Sequence, residues 1–389
     1  MDLPNNLTVR PSIVVGITNH ETCIILRGRL RTLREAGFRV TLVSSPGELL
    51  VNTAAAEKVE WHAIRMLRRI SPLSDIVALF RMWRFLRKLK PDMVEFSTPK
   101  AGLLGTLAAR LCGVPSRIYL LRGLKLETTT GLKHHVLLAA ERLAAASAHV
   151  VLCNSASLRD QALALGLAPP EKLLLLGCGS SRGVDMGEYS PGASDVRERY
   201  GLPQDAKVVG FVGRLTCDKG VPELIEAFDA ILRAEPETHL LLVGWFDRSE
   251  DLLGKDVRAR IEGHPRICLT GFVNKTAAFY RAMDVMVLPS RREGFPNVVL
   301  EAAATGIPVI ATLCTGARDS VLPEVTGLLI PPGYPDAICE AVVKLLRDPG
   351  RRIRMGVAAR DWVQENFVDE RVLASAVAFY KGLLPVEAS

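Results

Sequence analysis

The sequence predicts an α/β fold made of two parallel-sheet domains, and three observations lead there. Short apolar strands alternate with helical segments through both halves of the chain, the rhythm of a sheet covered on both faces. A stretch rich in turn formers, GLAPPEKLLLLGCGSSRGVDMGEYSPGA at 166–193, interrupts that rhythm near the middle. The 389 residues, 48% of them apolar, exceed one compact domain and can fill two cores.

In the first half, Ser12 to Ile17 reads as a strand, Thr22 to Ala36 as a helix stopped by Gly37, and Phe38 to Val43 as the next strand. Strands follow at Asp92 to Phe96, Arg117 to Leu121 and His149 to Leu152, with helices near 101–111 and 132–146 between them. Lys172 to Leu176 is compatible with one further strand. The second series begins at Lys207 to Gly213 and continues through His239 to Val243, Arg266 to Leu269, Val285 to Leu288, Val309 to Ile310 and Leu328 to Ile330. Helices at 335–346, 351–366 and 370–382 end the chain. The expected domains are 1–190 and 191–367, and a terminal helix at 368–389 closes the second or returns to the first.

Composition excludes several classes. The formal charge of +7 is modest for this length and does not imply nucleic-acid binding. Eight cysteines without a CxxC pair point to neither a disulfide framework nor a thiolate zinc site, so a reducing, cytoplasmic setting is expected. No signal peptide is evident, and no apolar run reaches the ~20 residues of a spanning helix.

Chemistry concentrates in two segments of the second half. GFVGRLTCDKG at 210–220 ends a buried strand at Gly213, with Arg214 on the turn and Lys219 just before Gly220 and a helix beginning near Pro222. Two cations beside flexible backbone suit a diphosphate, and they equally suit a solvated surface turn. PSRREGFPNVVLEAAATGIPVIAT at 289–312 places Glu293 before a Gly294, Phe295, Pro296 loop, with Asn297 as a helix cap and Glu301 one turn on. Glu301 can accept hydrogen bonds from vicinal ribose hydroxyls, Glu293 can reach a transferred sugar, and amides from Gly294 to Asn297 can support phosphate or sugar oxygens. Favourable placement near a helix start would also account for such acids without a ligand.

These residues resemble retaining glycosyltransferases of family 4, which have the GT-B architecture of two Rossmann-like domains facing across a cleft. The most specific match is Glu293, seven intervening residues and Glu301, followed by AAATGIPVIAT, with Gly213, Arg214 and Lys219 matching the donor-diphosphate region. The resemblance implies that Arg214 and Lys219 bind the diphosphate of a nucleotide-sugar donor, Glu301 its ribose and Glu293 its sugar hydroxyls. It also implies retention at the anomeric carbon by a front-face reaction without a required metal or other cofactor. The closer similarity is to transferases of bacterial capsule, lipopolysaccharide and glycan assembly, which implies a UDP-linked, N-acetylated sugar and a polyprenyl-diphosphate-linked glycan acceptor. Segment 97–123 is similar to their acceptor region, which makes Lys100 and Arg122 acceptor candidates, although Arg122 equally suits a surface or intradomain salt bridge; His20, just after the first strand, is a third. A sugar-nucleotide epimerase and a noncatalytic nucleotide-sugar-binding module remain alternatives at this stage.

One further segment is distinctive. Trp61 to Lys90 carries eight Lys or Arg residues and one Asp. Its second part is compatible with an amphipathic helix whose apolar stripe is Ile76, Val77, Phe80, Trp83 and Leu86. Such a surface suits an anionic membrane face, here the cytoplasmic face of an inner membrane; the same residues could instead pack on the sheet.

Overall fold

The structure is a computed structural model that describes residues 10–247 and 252–384. The chain forms two compact units: residues 1–154, 159–177 and 372–389 make one, residues 155–158 and 178–371 the other. Residues 178–190, grouped with the first half on sequence grounds, belong to the second unit.

The first unit is a seven-stranded sheet ordered β3-β2-β1-β4-β5-β6-β7, parallel throughout. Its strands are β1 (Ser12–Gly16), β2 (Arg39–Ser44), β3 (Glu60–Ala63), β4 (Met93–Ser97), β5 (Ser116–Leu121), β6 (Val150–Cys153) and β7 (Leu173–Leu175). The connecting helices are α1 (Arg29–Glu35), α2 (Glu48–Glu57), α3 (Pro72–Leu89), α4 (Pro99–Leu111), α5 (Gly131–Ser147) and α6 (Ala156–Ala164). Strands such as SIVVG and MVEFS are buried along their whole length because helices cover both faces of the sheet.

Two expectations are corrected here. The helix read at Thr22 to Ala36 is divided into a 3₁₀ stretch, His20–Leu26, and α1, because Gly28 takes φ +77° between them. The buried Glu57 carboxylate accepts the Gly28 and Arg31 amides, both at 2.9 Å, and so caps α1 from another helix. In α3 the apolar residues do not form one stripe. Ala78, Met82 and Leu86 pack inward, whereas Leu73, Ile76, Val77 and Phe80 are 81%, 63%, 49% and 57% exposed on the outside.

The second unit repeats the plan with six parallel strands ordered β10-β9-β8-β11-β12-β13. They are β8 (Lys207–Val212), β9 (Thr238–Val243), β10 (Ile267–Leu269), β11 (Val285–Leu288), β12 (Val309–Thr312) and β13 (Gly327–Ile330). The helices in order are α7 (Val196–Arg199), α8 (Val221–Ala234), α9 (Lys255–Gly263), α10 (Ala277–Tyr280), α11 (Asn297–Ala304), α12 (Pro335–Leu346) and α13 (Pro349–Asn366). In α8 the buried Val221, Leu224, Ile225, Phe228 and Ile231 recur every three or four residues, one apolar face laid on the sheet.

The last helix, α14 (Asp369–Gly382), joins the first unit from Val372 onward. Its Tyr380 is fully buried in the core formed with β1, β2 and α1. There its hydroxyl meets Glu95 and Arg29, and Arg29 Nη2 lies 2.5 Å from Glu95 Oε2. Burial alone would raise the Glu95 carboxyl. The Arg29 charge, the Tyr380 hydroxyl and the Arg122 charge outweigh it and hold Glu95 below the usual carboxylate range.

Each sheet reverses its order once, between β1 and β4 in the first unit and between β8 and β11 in the second. In open parallel sheets the loops leaving the carboxyl ends of such a strand pair form the ligand crevice.

Candidate active site

Both chemistry-bearing segments of the second half leave the strands at that reversal: residues 213–220 follow β8 and residues 289–296 follow β11. Gly220 makes their approach possible. It sits at φ +69°, and a Cβ there would lie 2.0 Å from the Pro289 carbonyl oxygen. Asp218 ties the loops together further, accepting from Thr216 Oγ1 at 2.6 Å and from Arg292 Nη2 at 2.8 Å, while its carbonyl accepts the Arg291 amide.

Lys219 and Glu293 are brought into direct contact. Lys219 Nζ is 2.6 Å from Glu293 Oε1, and Ser290 Oγ donates to the same oxygen at 2.7 Å. The Glu293 amide is held by the Thr315 carbonyl at 3.1 Å, which fixes the loop against the end of β12. Arg214 Nη1 lies 2.5 Å from Asp247 Oδ2. Burial acts against the Arg214 charge, but Asp247, Asp218 and Glu293 more than offset it. The arrangement is a cluster of part-buried cations and carboxylates whose cations can exchange a protein oxygen for a ligand oxygen.

Asn297 is not the cap of α11. Pro296 occupies the cap position without a side-chain bond, and Asn297, the first helical residue, donates to the Gly183 carbonyl at 3.1 Å. A proline fits there because the first turn of a helix leaves its amides unbonded in any case. The Phe295 ring is turned into the core against Phe367, with centroids 5.2 Å apart, so that residue offers a ligand its backbone alone.

Glu301, one turn along α11, is 7% exposed. Arg182 Nη2 donates to Oε1 at 2.6 Å and the Tyr280 hydroxyl to Oε2 at 2.8 Å. Burial raises its carboxyl above the usual range, and Arg182 and Tyr280 only partly offset that. Arg182, Tyr280, Asp247 and Ser290 escaped the sequence reading. Arg182 is separated from Glu301 by 119 positions, and nothing local to the SSRGVD turn marks it as a partner of α11.

In the first unit, His20 and Lys100 follow β1 and β4, the strands of that sheet's reversal. The His20 ring packs against Gly47, where a Cβ would meet it at 2.2 Å, and its Nδ1 is buried without a hydrogen-bond partner. Lys100 is committed to Asp75 Oδ1 at 2.7 Å and the Arg69 carbonyl at 2.5 Å, fastening the approach to α3. Arg122 acts on the buried Glu95 and Tyr380. Two of the three acceptor candidates thus have intramolecular roles.

Two parallel-sheet units, with a cation and carboxylate cluster at the strand reversal of the second, define a glycosyltransferase of GT-B architecture. Residues 206–348 match the family described as glycosyl transferases group 1, and residues 26–179 match the glycosyl transferase 4-like domain. A capsular polysaccharide biosynthesis glycosyltransferase of Staphylococcus aureus is 34% identical over 369 residues, 95% of this chain and 96% of its own length. The chain belongs to this glycosyltransferase family. The UDP-Gal:alpha-D-GlcNAc-diphosphoundecaprenol alpha-1,3-galactosyltransferase of Escherichia coli is 29% identical, covering 73% of each chain. Among solved structures, an Anabaena protein, HepE, in complex with UDP and glucose superposes with a TM-score of 0.78 at 18% identity, over 95% of this chain and 99% of the other. The reading as a noncatalytic binding module therefore gives way to that of a transferase.

Proposed function

We propose that the chain transfers an N-acetylhexosamine or related sugar, with retention, from a UDP-linked donor to a polyprenyl-diphosphate-linked glycan during cell-surface polysaccharide assembly. The observation that carries this reading is the meeting of Lys219 and Glu293 at 2.6 Å between the loops after β8 and β11, with Arg214 acting on the same carboxylate. In the donor complex Lys219 and Arg214 turn from Glu293 and Asp247 to the diphosphate. Glu293 is then left for the sugar hydroxyls, and Glu301 takes the ribose.

In the reaction the bond from the anomeric carbon to the diphosphate oxygen breaks while the acceptor oxygen bonds that carbon on the same face. The acceptor proton passes to the departing diphosphate, so no side-chain base is needed. Negative charge grows on that leaving group, and the two cations stabilise it more in the transition state than in the intact donor. The test is product-resolved mass analysis of a panel of UDP and GDP sugars with polyprenyl-diphosphate-linked acceptors. Transfer restricted to GDP sugars, or epimer formation without acceptor, overturns the proposal. Within that panel Glu301→Gln is expected to weaken UDP binding. Glu293→Gln is expected to alter discrimination among sugars while leaving UDP affinity near the parental value.

The lipid-linked acceptor also gives α3 a place. Its outward Leu73, Ile76, Val77 and Phe80 are followed by exposed Arg81, Arg84, Arg87 and Lys88, the combination that lies in the headgroup region of anionic lipid at a cytoplasmic membrane face. Among the described residues no helix is long and apolar enough to cross a membrane. Co-sedimentation with phosphatidylglycerol vesicles is expected for the parent and lost in the Ile76→Asp, Phe80→Asp double variant, with transfer to a short-chain acceptor retained. Equal sedimentation of both proteins would count against this surface.

A further inference from the structure

We infer that Arg182 is a positioning residue of the nucleotide site, holding the Glu301 carboxylate ionised and aimed at the ribose; the inference rests on the ribose role proposed for Glu301. A carboxylate has room for about four hydrogen bonds. Arg182 and the Tyr280 hydroxyl take one on each oxygen, which leaves one site on each for a vicinal pair of hydroxyls. The two protein donors therefore fix the plane of the group without saturating it.

Arg182 is itself held. Ser180 Oγ accepts the Gly183 amide at 3.0 Å and donates to Asn297 Oδ1 at 3.3 Å, and Asn297 returns a bond to the Gly183 carbonyl at 3.1 Å. Gly183, at φ +71°, lies so close to the 367–369 segment that a Cβ would meet the Phe367 carbonyl oxygen at 2.6 Å. The turn carrying Arg182 is thus built onto the first turn of α11, the helix that carries Glu301. Tyr280 donates from α10, the Tyr189 ring packs 6.0 Å from that of Tyr280, and Glu188 opposes ionisation. Without Arg182 a carboxylate already raised by burial would rise further and take up a proton nearer neutral pH.

A raised carboxyl is ionised above its pKa and protonated below it, so a site that needs the carboxylate weakens as pH falls and recovers as pH rises. The experiment is calorimetric titration of the parent, Arg182→Met, Arg182→Lys and Glu301→Gln with UDP and with 2′-deoxy-UDP between pH 6.5 and 8.5, after circular dichroism has matched their folds. The parent is expected to prefer UDP at every pH. Arg182→Met is expected to keep most of that preference at pH 8.5 and lose on the order of tenfold in UDP affinity at pH 6.5, and Arg182→Lys to restore the parental profile. A pH-independent loss in Arg182→Met, a parental profile, or failure of Lys to restore it overturns the inference. If instead the parent does not distinguish the two nucleotides, or Glu301→Gln leaves the distinction intact, the ribose role of Glu301 itself fails.

Discussion

Replacing Lys219 by Met is expected to lower the rate of sugar transfer by about two to three orders of magnitude, the usual effect of removing one preorganised transition-state donor. Lys219 lies in a 3₁₀ turn held by Gly220 against Pro289, and its side chain is 20% exposed, so it works where water screens poorly. Methionine keeps the extended stem and removes the charge. Arg214→Lys tests the other cation differently, because it keeps the charge but loses the planar fork that can bridge two phosphate oxygens. Its loss should be smaller in binding than in turnover, since geometry matters most once the leaving group gains charge. The measurement is steady-state transfer at limiting and saturating donor, with circular dichroism to establish the fold. Parental rates in both folded variants would eliminate the diphosphate clamp.

Glu95→Gln is expected to destabilise the first unit by on the order of 3–5 kcal/mol, because it leaves the Arg29 guanidinium buried without its counter-charge. Glu95 is fully buried and Arg29 is 3% exposed, so water cannot take the place of the lost partner. Tyr380 contributes a neutral donor from α14, so Tyr380→Phe should cost less than Glu95→Gln. In a unit of this size the larger loss corresponds to a fall in Tm on the order of 10 °C. Replacing both charged partners together, Arg29→Met with Glu95→Leu, should recover much of the loss, since an apolar pair of similar volume needs no desolvation of charge. The pH dependence has a definite sign. Glu95 is depressed, so its contribution is present above the ordinary carboxylate range and fades as pH falls through its folded value. Thermal unfolding of the four proteins between about pH 2 and pH 8 reads all of this, and a Glu95→Gln transition coincident with the parent would refute the ion-pair account.

The acceptor candidates show what sequence pattern alone leaves open. His20, Lys100 and Arg122 all lie just past the carboxyl ends of strands, where ligand contacts are common, and within the structure Lys100 pairs with Asp75 while Arg122 acts on Glu95. A cation in such a place is visible to the eye; the carboxylate that occupies it, 25 or more positions away, is not. The α3 helix makes the same point. Its periodicity disclosed a helix rich in apolar residues, but apolar residues on two roughly opposite faces blur into one stripe on paper, and only packing tells which face is already covered.

The α/β class, nearly every strand, and the position of the cation loop and the two acids were legible in the amino-acid order. Those features are local: a short branched run such as KVVGFV or VMVL favours a doubly covered strand, and the turn formers that follow it favour a break. Tertiary structure alone decided that the loops after β8 and β11 adjoin, that Lys219 faces Glu293, that Arg182 and Tyr280 hold Glu301, and that α14 returns Tyr380 to the first unit. Those pairs lie 21 to 351 positions apart, and they form because buried charges and carbonyls must find partners once the strands are assembled, a requirement that no local propensity encodes.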